Sequence, residues 1–301
     1  MGKDSHSFRV DKFLVEMNVP ASRSSLQNLI KEGLVKVNGK KVKPSCKLKQ
    51  KDLVKLHLPK EEEIEIKAEA IPLKIVYEDE NLLVVNKSAG MIVHPAANVY
   101  SGTLVNALFH HTGFLSAING PMRRGIVHRL DKDTSGLLVV AKDNFSHLNL
   151  AGQLAERTMK RRYFALVKGQ PKKRQGKIEI AIGRHPRERK KISVHTHKGR
   201  KASTFYKVIE TFPDYSLLEL RLGTGRTHQI RVHLSYLGHP IIGDKVYGGK
   251  KAKKEKLIGR PALHAYRLGF KHPATGHSLE FSVPLPDDFQ QALRVLRSRQ
   301  G

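Results

Sequence analysis

The chain has 301 residues, one cysteine, 55 Lys and Arg against 27 Asp and Glu, and a formal net charge of +28. The lone Cys46 excludes an internal disulfide and a cysteine-built zinc site, and a hydrophobic share of 39% supports a packed core rather than a disordered basic tail. So much positive charge on a folding chain points to a polyanion, most simply a nucleic acid, and no apolar run approaches the length of a membrane span.

The start, Met1-Gly2-Lys3-Asp4-Ser5-His6, lacks the apolar stretch of a signal peptide, so a cytoplasmic protein is expected. Residues 8–60 read as a small module. Ser22 is placed to cap a helix in which Leu26, Leu29 and Ile30 recur at helical spacing, and Gly33 is placed to end it. Val35-Lys36-Val37-Asn38-Gly39-Lys40-Lys41-Val42 then predicts two alternating strands around an Asn-Gly turn. Arg9, Lys12, Arg23, Lys36 and Lys40 stud this unit and are its candidate RNA contacts. The pieces Arg9-x-Asp11-Lys12-Phe13-Leu14, Ser22-Arg23-Ser24 and Val35-x-Val37-Asn38-Gly39 resemble the alpha-L RNA-binding module shared with a small-subunit ribosomal protein. That resemblance implies a basic surface gripping RNA backbone.

Residues 61–72 turn acidic, with Glu61-Glu62-Glu63-Ile64-Glu65, and read as a linker or an edge strand that avoids RNA. Residues 73–298 form a larger domain. Leu82–Val85 and Leu137–Val140 are unbroken apolar runs, the pattern of buried central strands; Tyr163–Val167 and Leu217–Leu222 read as further strands. Thr103–His110 and His228–Leu237 read as helices, the second capped by Thr227 and carrying Ile230, Leu234 and Leu237 on one face. Strands outnumber helices without alternating with them, so the fold class is α+β.

Three segments carry candidate chemistry. Asp131 sits in His128-Arg129-Leu130-Asp131, followed by Thr134-Ser135-Gly136. Tyr163 follows Lys160-Arg161-Arg162, and Arg226 and Arg231 lie in Gly225-Arg226-Thr227-His228-Gln229-Ile230-Arg231. They offer a carboxylate, a phenol and guanidinium groups at strand ends or strand-to-helix turns. On its own, Tyr163 reads as a core aromatic and an Asp near an Arg as a structural ion pair. His128 and His228 are expected to hydrogen-bond structurally, and Ser135 to steady its turn through the backbone. The pairs His110-His111 and His195-x-His197 do not complete a ligand set, so no metal is expected. The runs Lys172-Lys173-Arg174, Arg184 to Lys191, Lys198 to Lys201 and Lys250 to Lys256 are expected to be solvated loops that also touch phosphates.

In this order, the three segments resemble the signatures of the RluA/RluD family of pseudouridine synthases. Asn86-Lys87-Ser88-Ala89-Gly90, Gly238-His239-Pro240-Ile241-Ile242-Gly243-Asp244 and Leu263-His264-Ala265 agree, with Ser88 standing where the family usually has Pro. The resemblance implies a pseudouridine synthase fold with a mixed, mostly antiparallel central sheet and flanking helices. It implies an isomerase without a cofactor, using Asp131 as nucleophile and Tyr163 as stacking platform and C5 proton acceptor. Arg226 is carried over as the partner of Asp131, and Arg129 as the side chain entering the gap left by a flipped base. Large-subunit ribosomal RNA is the expected substrate and a monomer the default. A tRNA substrate, or a non-catalytic RNA chaperone or ribosome-assembly role, stays open at this level.

Overall fold

The computed structural model describes residues 8–17, 23–57, 66–95, 99–188, 191–196, 198–249 and 257–299. The chain divides into two compact units, 1–64 and 65–301. In the first, α1 (Val10–Glu16) and α2 (Arg23–Glu32) accompany β1 (Val35–Val37), β2 (Lys40–Lys41) and β3 (Val54–Leu56), which pair in the order β2-β1-β3. The hairpin turns at Asn38 and Gly39, with φ of 51° and 77°, the two left-handed positions of an Asn-Gly turn. Gly33, at φ 80°, ends α2, and the Leu34 N–H returns to the Leu29 carbonyl at 3.0 Å. Ser22, the expected cap, lies outside the described residues.

Val10, Leu14, Leu26, Ile30, Val35 and Val37 form this unit's core. Asp11 is fully buried beside them, and a buried carboxylate needs partners. Arg9 supplies two hydrogen bonds of 3.0 Å from Nε and Nη2, and Gln27 Nε2 a third of 2.8 Å. Arg9, expected to face RNA, holds Asp11 while its side chain stays 42% exposed.

The second unit contains β4 (Ile75–Glu78), β5 (Leu82–Lys87), α3 (Leu104–Thr112), β6 (Ser135–Ala141), α4 (Asn144–Ala155), β7 (Lys160–Lys168) and β8 (Gln175–Glu179). A separate short pair, β9 (Gly183–Arg184) and β10 (Ile192–Ser193), follows. Then come β11 (Ser203–Thr211), β12 (Tyr215–Leu222), α5 (Gln229–Tyr236), β13 (Leu263–Lys271), β14 (Ser278–Ser282) and α6 (Asp287–Ser298). One nine-stranded sheet runs β4-β5-β6-β13-β7-β12-β11-β8, with β14 pairing to β13. Among the described strands of this sheet, only β6 with β13 pairs in parallel; the other pairings are antiparallel. The fold is the α+β arrangement with a mixed, mostly antiparallel sheet.

The unbroken apolar runs have a simple cause. Leu83, Val85, Leu138 and Val140 enter one core, while Leu82, Val84, Leu137 and Val139 enter a second that includes Leu150 of α4. A strand buried on both faces shows no alternation. Gly136, at φ 116°, marks the parallel contact, where a Cβ would lie 2.2 Å from the Ala265 carbonyl oxygen. Asp131 is carried by the loop leading into this crossing.

Three boundaries differ from expectation. Residues 61–65 lie outside the described set, and 66–72 form no strand but belong to the second unit. Ile66 enters the main core, Asn106 Nδ2 donates to the Lys67 carbonyl at 2.8 Å, and Glu69 accepts from the Gly102 N–H at 3.0 Å. Only one of these anchors is apolar, too weak a signal in an acidic stretch. Helix α5 begins at Gln229, and Thr227 does not cap it; the preceding residue is His228, left-handed at φ 54°. Leu237 is 36% exposed while Ile230 and Leu234 are buried, because the helix stops at Tyr236. Helices α4 and α6 were not expected, yet both have signals. Asp143 caps α4 by accepting the Ser146 N–H at 2.8 Å, and Phe289, Leu293 and Leu296 give α6 its buried stripe.

Candidate active site

The loop before β6 presents Asp131 with its side chain 17% exposed. Its turn is closed by the Thr134 N–H donating to the Asp131 carbonyl at 3.1 Å. Lys87, at the end of β5, holds it from beneath, donating to the carbonyls of Ser88 at 2.8 Å, Met91 at 2.9 Å and Lys132 at 2.9 Å. All three ammonium hydrogens are thus used. Burial lowers the Lys87 pKa to about 8, against the opposing pull of Asp133 and Asp131.

The arginine bound to Asp131 is Arg231, not Arg226. Arg231 Nη1 donates to Asp131 Oδ2 at 3.1 Å, while its Nε and Nη2 hold Asp244 at 2.7 and 3.0 Å. Asp244 is itself fully buried and accepts the N–H groups of Val246 and Tyr247 at 2.9 and 3.0 Å. Burial opposes the charge on Arg231, but Asp244 and then Asp131 outweigh it and the net shift is upward. Arg231, expected among RNA contacts, is a buried link between two carboxylates because it lies on the inward side of α5. Arg226 sits one turn earlier, exposed. Its N–H donates to Gln229 Oε1 at 3.1 Å, and Gln229 Nε2 ties the turn to the Ser203 carbonyl and Thr204 hydroxyl at 3.0 Å each.

A cleft of about 510 Å³ joins the segments: Arg129, Asp131, Tyr163, Arg226 and Arg231 all line it, with His228. The Tyr163 pKa is raised, chiefly by burial, with Arg161 opposing and Asp131 adding, so the group is a neutral phenol at neutral pH. Arg129 is exposed, and its Nη1 lies 3.4 Å from His94 Nε2. Burial first, then Arg129 and Arg123, lowers the His94 pKa to about 4, which keeps it neutral beside these guanidinium groups. His128 Nε2 accepts the Val139 N–H at 3.2 Å, a sheet-anchoring contact. His228 Nε2 lies 4.0 Å from Asp131 Oδ1, and its Nδ1 pairs with the Tyr247 hydroxyl at 2.8 Å. Its pKa is lowered by burial against the pull of Asp131. Ser135 does not hold its turn through backbone as expected; its hydroxyl pairs with His264 Nδ1 at 2.9 Å.

In the small unit, Lys12 and Lys40 are exposed and Lys36 half-buried; the Arg23 side chain lies outside the described residues. Of the basic runs, Lys250 to Lys256 and residues 189–190 also lie outside them. Among the described residues no three His, Cys, Asp or Glu side chains gather as a metal site, and no helix is long and apolar enough to cross a membrane.

An Asp–Arg pair beside a phenol, in a cleft crossing a mostly antiparallel sheet, suits chemistry on a base removed from its stack. The chain belongs to the RNA pseudouridylate synthase family, whose model matches residues 81–236, and an S4 domain matches residues 8–54. It is an isomerase, an RNA pseudouridine synthase. The uncharacterized RNA pseudouridine synthase YlyB of Bacillus subtilis (strain 168) is 46% identical over 98% of this chain and 96% of its own. Ribosomal large subunit pseudouridine synthase D of Zymomonas mobilis subsp. mobilis (strain ATCC 31821 / ZM4 / CP4) is 45% identical over 96% and 94%. The structure of human RNA pseudouridylate synthase domain containing 1 superposes with a TM-score of 0.59 at 26% identity, covering 77% of this chain and 97% of that one.

Proposed function

We propose that this enzyme isomerises uridines of large-subunit ribosomal RNA, with Asp131 as the nucleophile. The observation that carries the chemical part is the Asp131 carboxylate, partly exposed in the cleft and fixed by Arg231 at 3.1 Å. A carboxylate so held is oriented toward the cleft without being sealed from it. Isomerisation breaks the uridine N1–C1′ bond and forms a C5–C1′ bond. The C5 proton leaves and N1 gains one, so no co-substrate is consumed.

Tyr163 lines the cleft from the edge of the main core, only 4% exposed, and is the acceptor assigned to the C5 proton. A neutral phenol cannot take a proton, so this step needs the phenolate, which burial disfavours and a rise in pH supplies. Arg129, exposed at the cleft and two residues before Asp131, is assigned to fill the space left by the flipped base. Arg226, exposed on the same wall, is reassigned to phosphate contact. In the S4 unit, Lys12, Lys36 and Lys40 take the same part, with Arg23 beside them in sequence order.

The ribosomal substrate is supported by the relatives named ribosomal large subunit pseudouridine synthase D, at 44–45% identity over nearly the whole chain. Mapping pseudouridines in total RNA with and without this protein tests it. Sites lost only from large-subunit rRNA fit the proposal; sites lost only from tRNA contradict it.

A further inference from the structure

We propose that Arg260 is a positioning residue for the nucleophile, tying the loop that carries Asp131 to the loop that carries Asp244, the carboxylate that anchors Arg231. The inference rests on Asp131 being the reacting carboxylate. Arg260 is nearly enclosed, its side chain 13% exposed. Its Nε and Nη2 grip Asp288 at 2.7 and 2.8 Å. Asp288 lies in the first turn of α6, whose Phe289, Leu293 and Leu296 lie in the main core, so the guanidinium is mounted on a rigid base.

That fork leaves Nη1, which donates to the Asp133 carbonyl at 3.2 Å, and to the carbonyls of Pro261 at 3.2 Å and Leu263 at 3.5 Å. Asp133 lies two residues after Asp131, inside the turn that Thr134 closes onto Asp131. Lys87 holds the neighbouring carbonyl of Lys132. The two carbonyls after the nucleophile are therefore each bound by a different cation.

The backbone of Arg260 supports the loop that anchors Arg231. A Cβ at Gly243 would lie 2.0 Å from the Arg260 carbonyl oxygen, so the two backbone segments are closely apposed there. Gly243 is also left-handed, at φ 74°. The next residue, Asp244, holds Arg231, which holds Asp131. Arg260 thus reaches the Asp131 loop through its side chain and the Asp244 loop through its main chain. A planar fork with a spare donor does this in one residue; an ammonium group cannot grip Asp288 bidentately and also span to Asp133. Displacing a reacting group by about 1 Å costs on the order of 100-fold in rate.

The test uses the full-length chain and tritium-labelled large-subunit rRNA transcript, in single turnover. Four variants are compared: Arg260→Met, Arg260→Lys, Leu293→Ala and Asp131→Asn. Leu293→Ala loosens α6 without touching Arg260 and controls for loss of stability. Arg260→Met should slow the rate at saturating enzyme about 100-fold, with half-saturation unchanged within about threefold. Arg260→Lys, which keeps a donor for Asp133, should recover about tenfold of that loss. Leu293→Ala should melt earlier but, measured where it is folded, react at the wild-type rate.

The proposal is overturned if Arg260→Met reacts normally, if Leu293→Ala is slowed equally, or if the loss lies in half-saturation. Failure of both Arg260 variants to fold would make Arg260 a fold determinant and overturn it too. An active Asp131→Asn would instead remove the reading beneath it, a distinct result.

Discussion

Arg231 joins Asp131 to Asp244: one guanidinium donates to the first at 3.1 Å and to the second at 2.7 and 3.0 Å. Asp244 is fully buried and Asp131 is not, so the anchored end is Asp244 and the presented end is Asp131. Arg231→Met should therefore remove nearly all activity, and also destabilise the fold by roughly 3–5 kcal/mol, because Asp244 is left as an unpaired buried charge. Arg226→Ala, on the exposed turn, should chiefly weaken RNA binding and leave the rate at saturation within about threefold. Single-turnover rates and urea midpoints of the two variants check this; equal loss of saturated rate would contradict the assignment.

The boundary at residue 64 predicts how the chain can be shortened. Deleting residues 1–64 keeps Ile66 in the core and the bonds of Lys67 and Glu69 to the α3 region. Deleting residues 1–72 removes them all. The first fragment should fold and isomerise uridine with weaker RNA binding, since a tethered second site acts through effective concentration. The second should lose roughly 4 kcal/mol, from about 2 for a buried Ile and about 1 for each of the two lost hydrogen bonds. Melting curves of the two fragments decide it.

Gly136→Ala should prevent or severely impair folding. The new methyl would meet the Ala265 backbone, at 2.2 Å from its oxygen and 2.6 Å from its nitrogen, and the residue's φ of 116° is strained for any side chain. Backbone cannot rotate aside as a side chain can, and the contact fixes the parallel pair β6–β13 below the Asp131 loop. A soluble variant with wild-type melting temperature would show that the two strands can separate without cost.

Much of the sheet was legible because its central strands are apolar on both faces, and the Asn38-Gly39 hairpin because its backbone demands those residues. The site was legible as three segments, since Asp131, Tyr163 and both arginines do line one cleft. Which arginine pairs with Asp131 was not legible. Arg226 and Arg231 lie five residues apart, and their separation into an exposed turn and a buried helix side depends on Gln229 locking the turn to β11. The same holds for Arg9, whose bonds to buried Asp11 come from a local fold that charge pattern does not reveal. Lys87 and Arg260 were invisible as supports of the Asp131 loop, because both act on main-chain carbonyls, which carry no sequence signal.

Burial and neighbouring cations hold three histidines neutral. The pKa of His94 is lowered to about 4, of His128 to about 3 and of His264 to about 4, from 6.5. Between pH 6.5 and those values the unfolded chain binds more protons than the folded one. Stability should accordingly fall as pH drops from about 6.5 toward 4, and be insensitive to these groups above pH 7.5. Urea midpoints measured across this range should show the decline, and His264→Asn should make it shallower. A midpoint flat from pH 7.5 to 4.5 would mean these rings protonate in the folded state without penalty.

The most direct measurement is the fate of uridine in large-subunit rRNA incubated with purified Asp131→Asn. The amide keeps the size and can still accept a hydrogen bond from Arg231, but it is not an anion and cannot act as the nucleophile. No pseudouridine should form above background, with RNA affinity within about threefold of wild type and an unchanged fold by circular dichroism. Pseudouridine formed at the wild-type rate by a variant verified by mass spectrometry to contain Asn would contradict Asp131 as the reacting group.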